Sequence, residues 1–95
     1  VQALKQYHAS WAFLGCHGIT ADAIHNSNAM VVDTQQEMIK RADKVAVLAD
    51  SSKFDKPAMV RLCDLAEIDV VITDKKPPAS IDSALRENDV QVIIA

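Results

Sequence analysis

The stretch Val45-Ala46-Val47-Leu48-Ala49, followed at once by Asp50-Ser51-Ser52-Lys53-Phe54, limits the fold more than any other part of the sequence. Five consecutive apolar residues are too few for a free-standing helix. They have the length of a strand buried on both faces, as in the middle of a parallel sheet. The run then stops on charge. A carboxylate, two hydroxyls and an ammonium arrive at the carboxyl end of a central strand, which is where ligands collect in open α/β sheets. This set suits a phosphorylated or polyhydroxylated small molecule, with Lys53 as the point charge for a phosphate or carboxylate. A plain solvated turn formed by Asp50 and Lys53 is the competing reading of the same residues.

Composition narrows the options. Ninety-five residues, 49% of them apolar, allow one small domain with a modest core. A net charge of −3 with scattered Lys and Arg argues against wrapping a polyanion, which needs a basic face. The apolar runs fall far below a membrane span and no leader-like segment is present, so we expect a cytoplasmic protein with no membrane partner. Cys16 and Cys63 are distant in sequence and give no case for a disulfide in such a chain. His17 and His25 near Cys16 invite a zinc reading, but no second cysteine stands at ligand spacing. No metal and no cofactor is expected.

Along the chain, Val1, Leu4 and Tyr7 have helical spacing, so Val1 to His8 reads as the end of a helix. Trp11 to Leu14 is a first strand, ended by Gly15-Cys16-His17-Gly18-Ile19. Its two glycines would let the backbone turn sharply and come close to a ligand, or simply make a tight turn. Thr20 to Asp33 reads as a long loop with His25 exposed in it. A capping box, Thr34 with Glu37, predicts a helix from Thr34 to Ala42 with Met38, Ile39 and Ala42 buried.

Beyond Lys53, Ala58 to Leu62 suits a short edge strand after Pro57, and Asp64 to Glu67 a single helical turn. Val70 to Thr73 is a further buried strand ended by Asp74, which either faces the cleft or caps the turn toward Pro77, the turn being the favoured reading. Ser80 then caps a helix carrying Ile81, Ala84 and Leu85, closed by Asn88, and Val90 to Ile94 is the last strand. The fold class is α/β, a mainly parallel open sheet with flanking helices. Four strands and two helices cover such a sheet poorly. We therefore expect it to be incomplete at its N-terminal side and to hide an apolar edge or face by forming a homo-oligomer.

Four pieces of the sequence together resemble the sensor domain of DeoR-family transcriptional regulators, in the family's order. They are Phe13-Leu14-Gly15-Cys16-His17-Gly18-Ile19, the helix Gln36 to Ala42, Val47 to Phe54, and Ile68-Asp69-Val70-Val71-Ile72-Thr73-Asp74. The resemblance implies the later part of a Rossmann-like effector domain similar to ribose-5-phosphate isomerase, in a bacterial, cytoplasmic regulator, usually a repressor. Its effector would be a phosphorylated sugar or related metabolite, and operator DNA would be bound only through an N-terminal winged helix absent from these residues. The resemblance implies ligand contacts at Gly15, His17, Gly18, Gln35, Asp50, Ser52 and Lys53. Gln35 stands where many members carry a lysine, and the glycine usual in the following loop is absent between Thr20 and Asp33. The loop at Gly15 to Ile19 offers His17 but no acidic pair for isomerase chemistry, so no catalytic residue is expected. A sugar-phosphate isomerase fragment and a structural oligomerisation segment are the two alternatives.

Overall fold

Strand β4 (Ala42–Leu48) lies between β1 (Ala9–Gly15) and β6 (Val70–Thr73), and β7 (Gln91–Ile94) follows β6, so the sheet order is β1-β4-β6-β7 with every pair parallel. The computed structural model describes residues 8–95. The helix end expected at Val1 to His8 falls almost wholly outside them. Val45, Ala46 and Val47 are at most 3% exposed, as a central strand requires, whereas Leu48 faces outward at 46%. Pairing aligns Gly15, Leu48, Ile72 and Ile93 in one row across the four strands. All four strands therefore end in nearly the same layer.

Two connections carry helices, α1 (Ala29–Arg41) before β4 and α2 (Ala79–Glu87) before β7. Strand order advances in one direction only, and crossovers of one hand then place both helices on the same side of the sheet. The core agrees. Val32 of α1 and Ile81 and Leu85 of α2 share one buried cluster with Ala12, Leu14, Val45, Val47 and Val71. The opposite face is open: Trp11 and Phe13, 41% and 61% exposed, stack at 5.9 Å between ring centroids, and Leu48 and Ile93 continue the apolar surface. Asp69 ties the amino ends together, its carboxylate accepting from the Val45 N–H at 2.7 Å and its carbonyl from the Gln91 N–H at 3.0 Å.

Three expectations need correction. Thr20 to Asp33 is not a loop but holds β3 (Ala23–Asn26) and the start of α1; β3 forms a hairpin with β2 (Gly18–Ile19) and pairs antiparallel with β5 (Val60–Asp64) in a second, three-stranded sheet. The strand expected at Ala58 to Leu62 thus belongs to that sheet, and His25 is a part-buried strand residue whose Nε2 lies 3.2 Å from the Thr20 hydroxyl. The polar and small residues that suggested loop chemistry occupy strands only two and four residues long, too short to show a period.

The first helix starts five residues earlier than its capping box suggested. Asn28 is the N-cap, its side-chain oxygen accepting from the Met30 N–H at 2.8 Å and the Val31 N–H at 3.3 Å. Thr34 lies inside the helix, donating its hydroxyl to the Met30 carbonyl, and Glu37 pairs with Lys40 and Arg41 instead of reaching back to a cap. The fully buried positions are Val32, Gln35 and Glu37, with Met38, Ile39 and Ala42 packed partly against the core. For α2, Pro78 holds the cap position without a side-chain bond and Ser80 lies within the first turn; the closing Asn88 is as expected. The one-turn helix at Leu65–Glu67 does carry a capping box, between Asp64 and Glu67.

Asn28→Ala is expected to cost about 1 kcal/mol of stability as an ordinary cap loss, while Thr34→Ala stays within about 0.5 kcal/mol. Urea unfolding of the two variants checks the helix start.

Candidate functional site

Because β1, β4 and β6 end in one layer, their following segments meet there. Gly15 closes β1 opposite Leu48, and two residues later the chain has entered the Asp50 turn. Asp50 caps a short 3-10 turn, Ser51–Lys53, through its carboxylate, which accepts from the Ser52 N–H at 2.9 Å and from the Ser52 hydroxyl. The Ser52 hydroxyl and N–H, with Lys53 and Lys56 nearby, hold the Asp50 carboxyl below the usual carboxylate range. Among the described residues the Lys53 ammonium has no carboxylate within ion-pair distance.

The turn is docked on the Gly15 to Ile19 segment by main chain. Ile19 forms a parallel bridge with Phe54, the Asp55 N–H donates to the Ile19 carbonyl at 2.7 Å, and a Cβ on Gly18 would run into the Lys56 carbonyl. Gly18 therefore serves a close approach to backbone rather than to a ligand, and neither glycine adopts a positive φ. Between the two glycines lies Cys16, whose thiol senses the charges of both Lys53 and Asp50. Burial dominates there, pushing Cys16 up to about 11 and Cys63 to about 12, so both thiols stay protonated at neutral pH.

His17 is exposed at the rim. Its Nδ1 accepts from the Ser27 N–H at 3.2 Å, leaving Nε2 without a partner among the described residues. Gln35 sits lower, buried. Its Nε2 donates to the Gly15 carbonyl at 3.0 Å, and its Oε1 accepts from Asn26 Nδ2 at 2.7 Å. Gly15, His17, Gly18, Asp50, Ser52 and Lys53 thus gather at one end of the sheet, with Gln35 beneath them supporting the Gly15 carbonyl.

One residue escaped the sequence reading, and a second was favoured there for another role. Asn26, in the segment taken as loop, completes the buried amide pair with Gln35; its place two residues after the apolar pair Ala23-Ile24, on the same side of an alternating segment as Ile24, was the available signal. Asp74 does not serve the turn toward Pro77. It reaches across to β4, accepting from the Ser51 N–H at 2.6 Å and the Ser51 hydroxyl at 3.4 Å, and these bonds hold its carboxyl below the usual range. The signal was repetition: β4 and β6 are neighbouring apolar strands, and each is followed by an aspartate.

A cavity of about 360 Å³ opens beside Asp50, floored by Leu48, Ile72 and Ala95 and rimmed by Thr73 and Asp74. It lies on the β6 side of Asp50, whereas Gly15, His17 and Lys53 lie on the β1 side and do not line it. The convergence of polar groups, rather than this shallow apolar hollow, defines the candidate site. Gly18→Ala is expected to destabilise the chain by about 1–3 kcal/mol through overpacking against backbone, read by denaturant unfolding, with Asp55 and Lys56 amide resonances displaced.

The family model described as the DeoR C terminal sensor domain matches residues 1–75. Relatives include the L-fucose operon activator of Haemophilus influenzae, 25% identical over 96% of this chain and 37% of its own length. The HTH-type transcriptional repressor GlcR of Bacillus subtilis is 32% identical over 99% of this chain and 36% of its own. The glycerol-3-phosphate regulon repressor of Escherichia coli is 29% identical over 94% and 36% respectively. The chain spans little more than a third of the length of these relatives.

Proposed function

The chain belongs to the DeoR C-terminal sensor domain family, and from that membership we propose that it is the effector-binding part of a bacterial transcriptional regulator responding to a phosphorylated sugar or related metabolite. One observation carries the reading. The partnerless Lys53 ammonium is presented beside the Gly15 to Ile19 segment, at the carboxyl end of a buried parallel strand. A phosphate or carboxylate supplies the missing counter-charge, while Asp50, Ser52 and the Nε2 of His17 suit hydroxyls. Gln35 acts on the ligand through the Gly15 carbonyl that it supports. The relatives' names point the same way: one carries a sugar, fucose, and one a phosphate ester, glycerol 3-phosphate.

The ligand regulates by binding two states of the regulator unequally. DNA contact is made by an N-terminal winged helix outside these residues, since a net charge of −3 suits no polyanion. The protein works in the cytoplasm, where such a regulator meets both its metabolite and its operator. Among the described residues no helix is long and apolar enough to cross a membrane. An enzymatic role is disfavoured by chemistry. Isomerisation needs a base and a second proton carrier at the carbon acid, and the Gly15 to Ile19 segment brings only His17, whose Nδ1 is already engaged.

In the intact regulator, Lys53→Ala is expected to weaken binding of the phosphorylated effector by about 1.5–3 kcal/mol, the range for a charge-assisted contact. Calorimetry showing unchanged affinity removes Lys53 from the site. The open face at Trp11, Phe13, Leu48 and Ile93 also favours a homo-oligomer. The isolated chain is expected to sediment as more than a monomer, and a stable monomer at high dilution contradicts that assignment.

A further inference from the structure

The polar groups at the strand ends divide into those open to a ligand and those spent on holding the turn. Asp74 belongs to the second kind. Its carboxylate accepts the Ser51 N–H at 2.6 Å and the Ser51 hydroxyl at 3.4 Å, from a residue 23 positions away and on the neighbouring strand's exit. The turn is thereby gripped twice. Asp50 caps it from within, through Ser52, while Asp74 anchors its first residue from outside. Lys53 is the third residue of this turn, and its own N–H donates to the Asp50 carbonyl at 3.1 Å. The β4 and β6 ends that hold the two aspartates are themselves locked by the Ala49 N–H donating to the Ile72 carbonyl at 3.0 Å.

We infer that Asp74 is a positioning residue for anion recognition: by clamping Ser51 it fixes the direction in which the Ser51–Lys53 turn presents the Lys53 ammonium. The inference rests on the reading of Lys53 as the anion contact. It carries a sign that separates it from simple electrostatics. Asp74 is a negative charge close to an anion site, so charge alone makes its removal strengthen anion binding. A clamp makes its removal weaken binding, because a loosened side chain must be ordered again when the anion arrives.

The test uses the intact regulator, inorganic phosphate as the probe, and amide and lysine resonances as the readout. Asp74→Ala removes both acceptor and charge; Asp74→Asn keeps an acceptor for the Ser51 N–H without the charge. Asp74→Ala is expected to bind phosphate about five- to twentyfold more weakly than the parent chain, with faster amide exchange at Lys53. Asp74→Asn is expected to restore the parent affinity or exceed it. In a Lys53→Ala background the Asp74→Ala loss is expected to vanish. If Asp74→Ala and Asp74→Asn both bind phosphate more tightly and alike, Asp74 acts only as a charge and the positioning role is overturned while Lys53 keeps its role. If Lys53→Ala binds phosphate as the parent chain does, the reading of Lys53 fails and the inference falls with it. Because Asp74 is exposed, both variants are expected to fold, and unchanged core amide resonances verify that.

Discussion

Parallel pairing of β4 between β1 and β6 is the constraint on which the rest depends. A parallel sheet sends successive strands out of the same edge, so whatever follows each strand is delivered to one layer. Here that layer receives the Gly15 to Ile19 segment from β1, the Asp50 turn from β4 and Asp74 from β6. None of these is near another in sequence. Hydrophobic burial of Val45, Ala46 and Val47 supplies the driving force, and the ladder of backbone bonds supplies the register. Slippage of β4 by one residue exchanges its two faces and turns Val47 out of the core.

Polar satisfaction then determines which strand-end groups remain available. Gln35 and Asn26 close on each other and on the Gly15 carbonyl, which removes two amides from contact with solvent and steadies the end of β1. Buried amides of this kind are tolerated because their partners are present. Asp50 and Asp74 spend acceptor capacity on Ser52 and Ser51. What is left over is basic: the Lys53 ammonium, with the Nε2 of His17 on the rim.

The parallel sheet was legible because its strands are strong local signals: Val45 to Ala49 and Val70 to Thr73 are apolar runs ended by charge, and Asn88 marks a helix end unambiguously. The second sheet was legible only at its edge, where the strand expected at Ala58 to Leu62 is found at Val60–Asp64. Gly18–Ile19 and Ala23–Asn26, two and four residues long, carry no period of their own. The first helix was misplaced because Thr34 and Glu37 have the right spacing for a cap, while the first turn after the true cap, Asn28, ends in two β-branched valines, Val31 and Val32, that weaken its helical signal. Most of the site residues were identifiable as strand-end groups. The support given by Asn26 and Asp74 left only faint signals, because their partners lie nine and 23 residues away in sequence.

The contact between Gly18 and the Lys56 carbonyl has a wider consequence. It is made by main chain on main chain, as are the Ile19 to Phe54 bridge and the Asp55 to Ile19 bond, so the gap between the two rim segments is set without help from any side chain. Substitutions at exposed rim positions such as His17 and Ser52 therefore leave the width of the opening intact. A scaffold of this kind lets new chemical preferences evolve by single replacements around a constant aperture, with Gly18 as the one position that has to stay bare.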